Sequence, residues 1–179
     1  MRVVRRRRGI TLIELMITLV VLVVLISLAA PAMTSLLETR RMAGASQAVY
    51  EQLQYARTEA IKQSRNMFVV IDERGNGLPW CVGVSDNSAC VCQEPGNGEE
   101  PCTVIVAVDA AGTAQRAERQ INGDSFPNIT LTTTQPRVGF DPVRGTVFEN
   151  AGAEITLTSA PRGLTRTWSV NVVGRITSD

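Results

Sequence analysis

No histidine occurs anywhere in the 179 residues. The commonest general base and the commonest metal ligand are therefore missing, which sets aside most hydrolase and metalloenzyme chemistry. No catalytic residue, cofactor or metal is expected. Charge is the next thing lacking: none of the 23 residues from Leu15 to Leu37 carries one. The chain also lacks a real excess of base. Its formal charge is +1, but Arg2, Arg5, Arg6, Arg7 and Arg8 all precede Gly9, and without them 18 − 5 = 13 bases face 17 acids, a balance of −4. That is the wrong sign for a protein gripping phosphate backbones with its whole surface, so a nucleic-acid role needs a local patch. No internal repeat is present.

What is there begins with a helix. At 1.5 Å per residue the uncharged stretch reaches about 35 Å, enough to cross a bilayer core. The arginines ahead of it belong on the cytoplasmic side, which puts everything after Leu37 outside the cytoplasm. Beyond the apolar run, Met42, Ala45, Val49, Leu53, Ala56 and Ala60 recur at three- and four-residue steps, while Arg40, Arg41, Gln47, Glu51 and Arg57 suit a solvated face. The pattern predicts one helix from about Ile10 to Lys62, apolar all round in its first half and amphipathic in its second.

After Ser64 the period becomes strand-like. The expected strands are Asn66 to Asp72, Trp80 to Val84, Thr103 to Asp109, Phe126 to Thr134, Arg137 to Asp141, Gly145 to Glu149, Glu154 to Ser159 and Thr165 to Thr177. Residues 110 to 124 read as loop or a short edge strand. The fold class is α+β: a long N-terminal helix packed on an antiparallel β domain. Residues 10–37 form a membrane or filament-core segment, and residues 38–179 a periplasmic domain.

Cys81, Cys90, Cys92 and Cys102 are spaced C-x8-C-x-C-x9-C around an acidic loop. A four-thiolate zinc site is one reading, but C-x-C is a poor zinc spacing and an exported chain meets an oxidising compartment, so two disulfides are expected. Direct pairing of Cys90 with Cys92 is strained. Two connectivities remain, 81–90 with 92–102 or 81–92 with 90–102, the first preferred. The crosslinked loop stabilises the domain or serves as a contact for a neighbouring subunit.

Arg8-Gly9-Ile10-Thr11-Leu12-Ile13-Glu14-Leu15 resembles the signal of type IV prepilins: a basic leader, a glycine, a hydrophobic first mature residue and a glutamate at the fifth mature position. Ile10 stands where that family usually has phenylalanine. The resemblance implies cleavage of the 1–9 leader between Gly9 and Ile10 by a prepilin peptidase, N-methylation of Ile10, and pairing of Glu14 with the N-terminal amine of a neighbouring subunit. Burying a carboxylate in an apolar helix is costly without such a partner. Pro31, the second family mark, removes a helical hydrogen bond where the helix of these proteins loosens on assembly. An ordinary secretory signal cut near Ser27-Leu28-Ala29, or a plain single-span anchor, are the competing readings, but the amphipathic helix continues in phase beyond that cut.

Ala48 to Ala60, Phe140 to Gly145 and Arg162 to Gly174 resemble the GspH/FimT family of minor pilins and pseudopilins. The resemblance implies a non-enzymatic subunit that helps initiate pilus assembly at or near the tip, partnered by minor and major pilins and resident in the inner membrane before entering the filament. A minor pseudopilin of type II secretion is the alternative within the same class. Some relatives take up DNA through a GRxR motif; here Gly174-Arg175-Ile176-Thr177 lacks the second arginine, leaving Arg162, Arg166 and Arg175 as candidate DNA contacts. Asn128-Ile129-Thr130 fits a glycosylation sequon and is assigned no role.

Overall fold

The computed structural model describes residues 11–74, 79–92, 98–148 and 152–179, with the backbone but not the side chains of residues 28–32. The chain divides into two compact units, residues 1–39 and 40–179. One helix, α1 (Leu12–Gln63), contributes to both. In the first unit every described side chain from Thr11 to Ser27 is exposed, including Leu15, Ile17, Val20, Leu22 and Leu25. Among the described residues no helix is long and apolar enough to cross a membrane; residues 28–32, inside the expected span, lie outside the described side chains.

Both ends of α1 are closed by local chemistry. Thr11 Oγ1 accepts from the Glu14 amide at 3.3 Å, satisfying one of the amides that have no helical partner. At the other end Ser64 takes φ 54°, and the Arg65 and Ser64 amides bond to the carbonyls of Ala60 (3.2 Å) and Ile61 (3.3 Å). This is a Schellman closure with serine in the place glycine usually takes.

In the second unit the stripe read from the sequence is the core. Met42, Ala45, Val49, Leu53, Ala56 and Ala60 are all buried, and they pack with the inward residues of two four-stranded antiparallel sheets. Ten strands follow α1: β1 (Met67–Asp72), β2 (Cys81–Ser85), β3 (Thr103–Val108), β4 (Ala114–Glu118), β5 (Gln120–Asn122), β6 (Ile129–Thr133), β7 (Arg137–Phe140), β8 (Gly152–Ser159), β9 (Leu164–Asn171) and β10 (Ile176–Ser178). The first sheet has the order β5-β2-β1-β7, the second β10-β9-β8-β6, and β3 with β4 forms a separate hairpin. In the second sheet Ile129, Leu131, Ala153, Ile155, Leu157 and Val170 face the core. Thr130, Thr132, Thr156, Thr158, Thr165 and Thr167 alternate with inward residues onto the solvated face.

Two tryptophans join the layers. Trp168 Nε1 donates to the Ser46 carbonyl (3.1 Å) and hydroxyl (3.0 Å) while its ring stacks on Tyr50 at 4.8 Å, tying β9 to α1. Trp80 Nε1 donates to the Ile129 carbonyl at 2.9 Å, tying the first sheet to the second. Asn128 and Thr134 bond across to β8 partners, so the register turns the backbone groups of Ile129, Leu131 and Thr133 to the outer edge of β6. Trp80 occupies the Ile129 carbonyl there and the Glu73 carboxylate takes the Thr133 amide, which blunts the strand edge against foreign pairing.

Three expectations are corrected and one is sharpened. Residues 110–124, expected as loop or a short edge strand, contain two short edge strands, β4 and β5, because β3 and β2 offer backbone partners that polar side chains do not advertise; between them the Arg119 amide bonds Cys102 and its carbonyl accepts from Val84. Gly145 to Glu149 is no strand among its described residues and keeps a single bridge, Phe140 to Val147. Thr165 to Thr177 is two strands, since Gly174 at φ 74° and an Asn171 side chain accepting from the Arg175 amide turn the chain back. β6 begins at Ile129 rather than Phe126, because a short 3-10 turn at Gly123–Ser125 and Asn128 at φ 68° precede it.

Candidate assembly surfaces

The N-terminal motif divides at the edge of the described residues: Gly9 and Ile10 lie outside them, and Glu14 lies inside. Thr11 and Glu14 stand at the N-cap and third position of α1, the T-x-x-E spacing of a capping box, with the threonine half formed. Sequence reading assigned Glu14 only to pairing between subunits. Its place in the first turn also favours a carboxylate through the helix dipole. The pattern was available in Thr11-Leu12-Ile13-Glu14. Pro31 is inside α1, and its side chain lies outside the described set.

The cysteines form two disulfides, Cys81–Cys92 with Cα atoms 5.9 Å apart and Cys90–Cys102 at 4.9 Å. The preferred connectivity, 81–90 with 92–102, is therefore wrong, and the alternative is realised. The chain leaves along β2, reverses at Asp86–Ala89 where Asn87 bonds to Ser85 Oγ and caps Ala89, and returns. On the return the later cysteine, Cys92, reaches the start of β2 where Cys81 sits. Val91 bridges Pro101, its amide bonding Glu100 and its carbonyl accepting from Cys102, which sets Cys90 beside Cys102. With all four thiols oxidised, the zinc reading has no ligands.

Asp86, in that reversal, anchors the β3–β4 hairpin. It accepts from Arg116 on β4 and from Arg65 at 3.0 Å. Burial pushes its carboxyl up, but the bonds from Arg116 and Arg65 outweigh this and hold it below the ordinary value. Gln63 adds a bond to the Ile105 carbonyl at 2.9 Å.

The candidate DNA arginines are not brought together. Arg162 lies in the β8–β9 turn and Arg175 in the β9–β10 turn, at opposite ends of an eight-residue strand. That separates them by about 26 Å at a strand's rise per residue. Arg166 is exposed on β9 between them.

The Phe140 to Gly145 stretch, which the sequence marks only by family resemblance, forms the Asp141-Pro142-Val143-Arg144-Gly145-Thr146 loop. Asp141 accepts from the amides of Val143 (2.7 Å), Arg144 (3.0 Å) and Thr146 (3.0 Å) and from the Thr146 hydroxyl. The Thr146 hydroxyl and these amides pull its carboxyl down to about 2. The signal was an aspartate opening a Pro/Gly turn. The loop abuts the β9–β10 turn: a Cβ on Gly174 would lie 2.0 Å from the Gly145 carbonyl oxygen, and Val147 donates to the Val172 carbonyl at 3.0 Å. A Cβ on Gly145 would meet Arg57 Cγ at 3.0 Å and Ile61 Cδ1 at 3.1 Å, so loop, turn and α1 converge at two glycines of positive φ.

The family model of type II transport protein GspH matches residues 45–174, and that of the prokaryotic N-terminal methylation motif matches residues 4–30. The crystal structure of the type IV minor pilin FimU of Pseudomonas aeruginosa (strain PAO1) in space group P21 superposes with a TM-score of 0.50 at 19% identity, covering 79% of this chain and 90% of that one. The P65 crystal form gives 0.48 at 18% identity, with 76% and 91% covered. No curated protein matches the chain in sequence. The fold is that of FimU, a long N-terminal helix with antiparallel sheets, and the chain belongs to the GspH family and carries the prokaryotic N-terminal methylation motif.

Proposed function

We propose that this protein is a minor pilin that helps initiate type IV pilus assembly at or near the tip. The observation carrying this reading is the division of one helix, α1, into a part whose described apolar side chains are all exposed and a part whose apolar stripe is buried under two sheets. An exposed apolar helix needs a membrane or neighbouring helices around it, and a filament core supplies the second after the first. On this reading prepilin peptidase cuts after Gly9, which removes five arginines and leaves the chain with a formal charge of −4. The new Ile10 amine, once methylated, pairs with Glu14 of a neighbouring subunit. Residues 10–37 anchor the protein in the inner membrane, with Pro31 loosening the helix on assembly, and residues 38–179 lie in the periplasm and carry contacts to other pilins. No step in this role calls for catalysis.

Intact-mass analysis of the membrane form tests the reading: a species starting at N-methylated Ile10 supports it, and one starting at Ala30 refutes it. A minor pseudopilin of type II secretion is the second reading, supported by the family model covering residues 45–174. Deleting the gene and scoring surface filaments against protein secretion separates the two. DNA capture has less support, since Arg162 and Arg175 sit at opposite ends of β9.

A further inference from the structure

The geometry points to the joined 141–147 loop and 171–175 turn as a docking surface for a neighbouring pilin-like subunit that presents apolar side chains flanked by carboxylates. The inference rests on the assembly role above and names where one contact is made. Val143 at the loop tip is 81% exposed, and Val172 and Val173 on the adjoining turn are 51% and 58% exposed. Ile61, against Gly145, is also exposed. Three valines on abutting loops stay outside the core of this chain with half or more of their surface exposed, and exposed apolar residues with a polar rim mark interaction sites.

The rim is cationic. Arg57 lies against both glycines, Arg144 is exposed on the loop, and Arg175 is exposed at the end of the turn. None of the three makes an ion pair among the described residues. The only acid within residues 141–147 and 171–175 is Asp141, and its carboxylate is occupied by the loop's own amides and the Thr146 hydroxyl. The unit as a whole has the opposite sign: residues 40–179 hold 13 bases and 15 acids, a balance of −2. A local reversal of charge around an apolar centre selects a partner with carboxylates at its rim. An apolar centre does not suit a nucleic-acid backbone, which is gripped by charged and polar groups.

The surface is also held in its binding shape. Asp141 fixes the loop, and the turn is fixed by the Arg175 amide on Asn171 Oδ1 (2.9 Å) and the Gly174 amide on the Asn171 carbonyl (2.8 Å). Ordering cost on docking is low for such segments.

The test places p-benzoylphenylalanine at Val143 or Val173 of the full-length chain in its own cells, with irradiation and mass identification of the adduct. The expected adduct is a second protein with a prepilin-type N-terminus. The Arg144→Glu/Arg175→Glu double variant is expected to lower its yield by about tenfold, while Arg162→Glu at the far end of β9 leaves it unchanged. An adduct to nucleic acid or to a second copy of this chain overturns the inference, as does none at either position. Recovery of the chain with purified filaments is read separately. A chain that is recovered there but gives no adduct overturns this surface alone, whereas a chain never recovered there overturns the assembly role itself.

Discussion

Gly83 of β2 and Cys102, just ahead of β3, are in direct contact: a Cβ on Gly83 would lie 2.7 Å from Cys102 Cβ and 2.8 Å from its Sγ, with Cys92 Sγ at 3.3 Å. Both disulfides therefore pack over a bare stretch of β2. Replacing Gly83 with alanine is expected to destabilise the domain by about 1–3 kcal/mol through overpacking. Chemical denaturation with the bridges intact checks this, and an unchanged midpoint would contradict the packing described.

The disulfide pairing makes a prediction of its own. A Cys81→Ser/Cys92→Ser double variant keeps a bridged pair and shows no free thiol, while Cys81→Ser/Cys90→Ser breaks both bridges and exposes reactive thiols. Thiol titration under denaturing conditions reads the difference. Loss of the Cys81–Cys92 bridge is expected to cost about 3 kcal/mol for a loop of this length.

Ser64 closes α1 in the left-handed region, where a side chain costs about 1–2 kcal/mol. Ser64→Gly is expected to raise stability by about 1 kcal/mol, since the amide bonds of Ser64 and Arg65 to α1 involve no side chain. Thermal unfolding with and without the change is the measurement; destabilisation would mean that the serine hydroxyl matters more than the backbone strain.

Acid should loosen the 141–147 loop. The folded pKa of Asp141 lies near 2, below its ordinary 3.8. Its stabilising effect is therefore complete above the ordinary value and is lost as pH falls through that interval. Asp86 shifts in the same direction and adds to the same slope. Hydrogen exchange at the Val143, Arg144 and Thr146 amides should speed up over this range, and Asp141→Asn should remove most of the dependence. Exchange that stays flat in the native protein would count against the bonding described.

The helical stripe and most strands were legible because burial on one face imposes a period, and Met42 to Ala60 or Ala153 to Leu157 carry it openly. β4 and β5 were not, since Gln115, Arg116 and Gln120 have no apolar alternation and owe their conformation to backbone bonds with β3 and β2. Of the candidate surfaces, the N-terminal methylation motif was legible, while of the 141–147 loop only the flanks were, as strands ending at Asp141 and starting at Gly145, because the aspartate's hold on three amides leaves no periodic trace in the residues.

The sequence by itself determined the N-terminal methylation motif, the uncharged run and the buried face of α1, because each depends on residues near one another along the chain. Only the tertiary structure decided that Cys81 bonds Cys92, that Arg162 and Arg175 stand apart, and that Gly145 meets Gly174. Those relations depend on where strands reverse and which partners they find. The opening contact is one of them: nothing in the sequence around Gly83 announces that two disulfides will be laid across it.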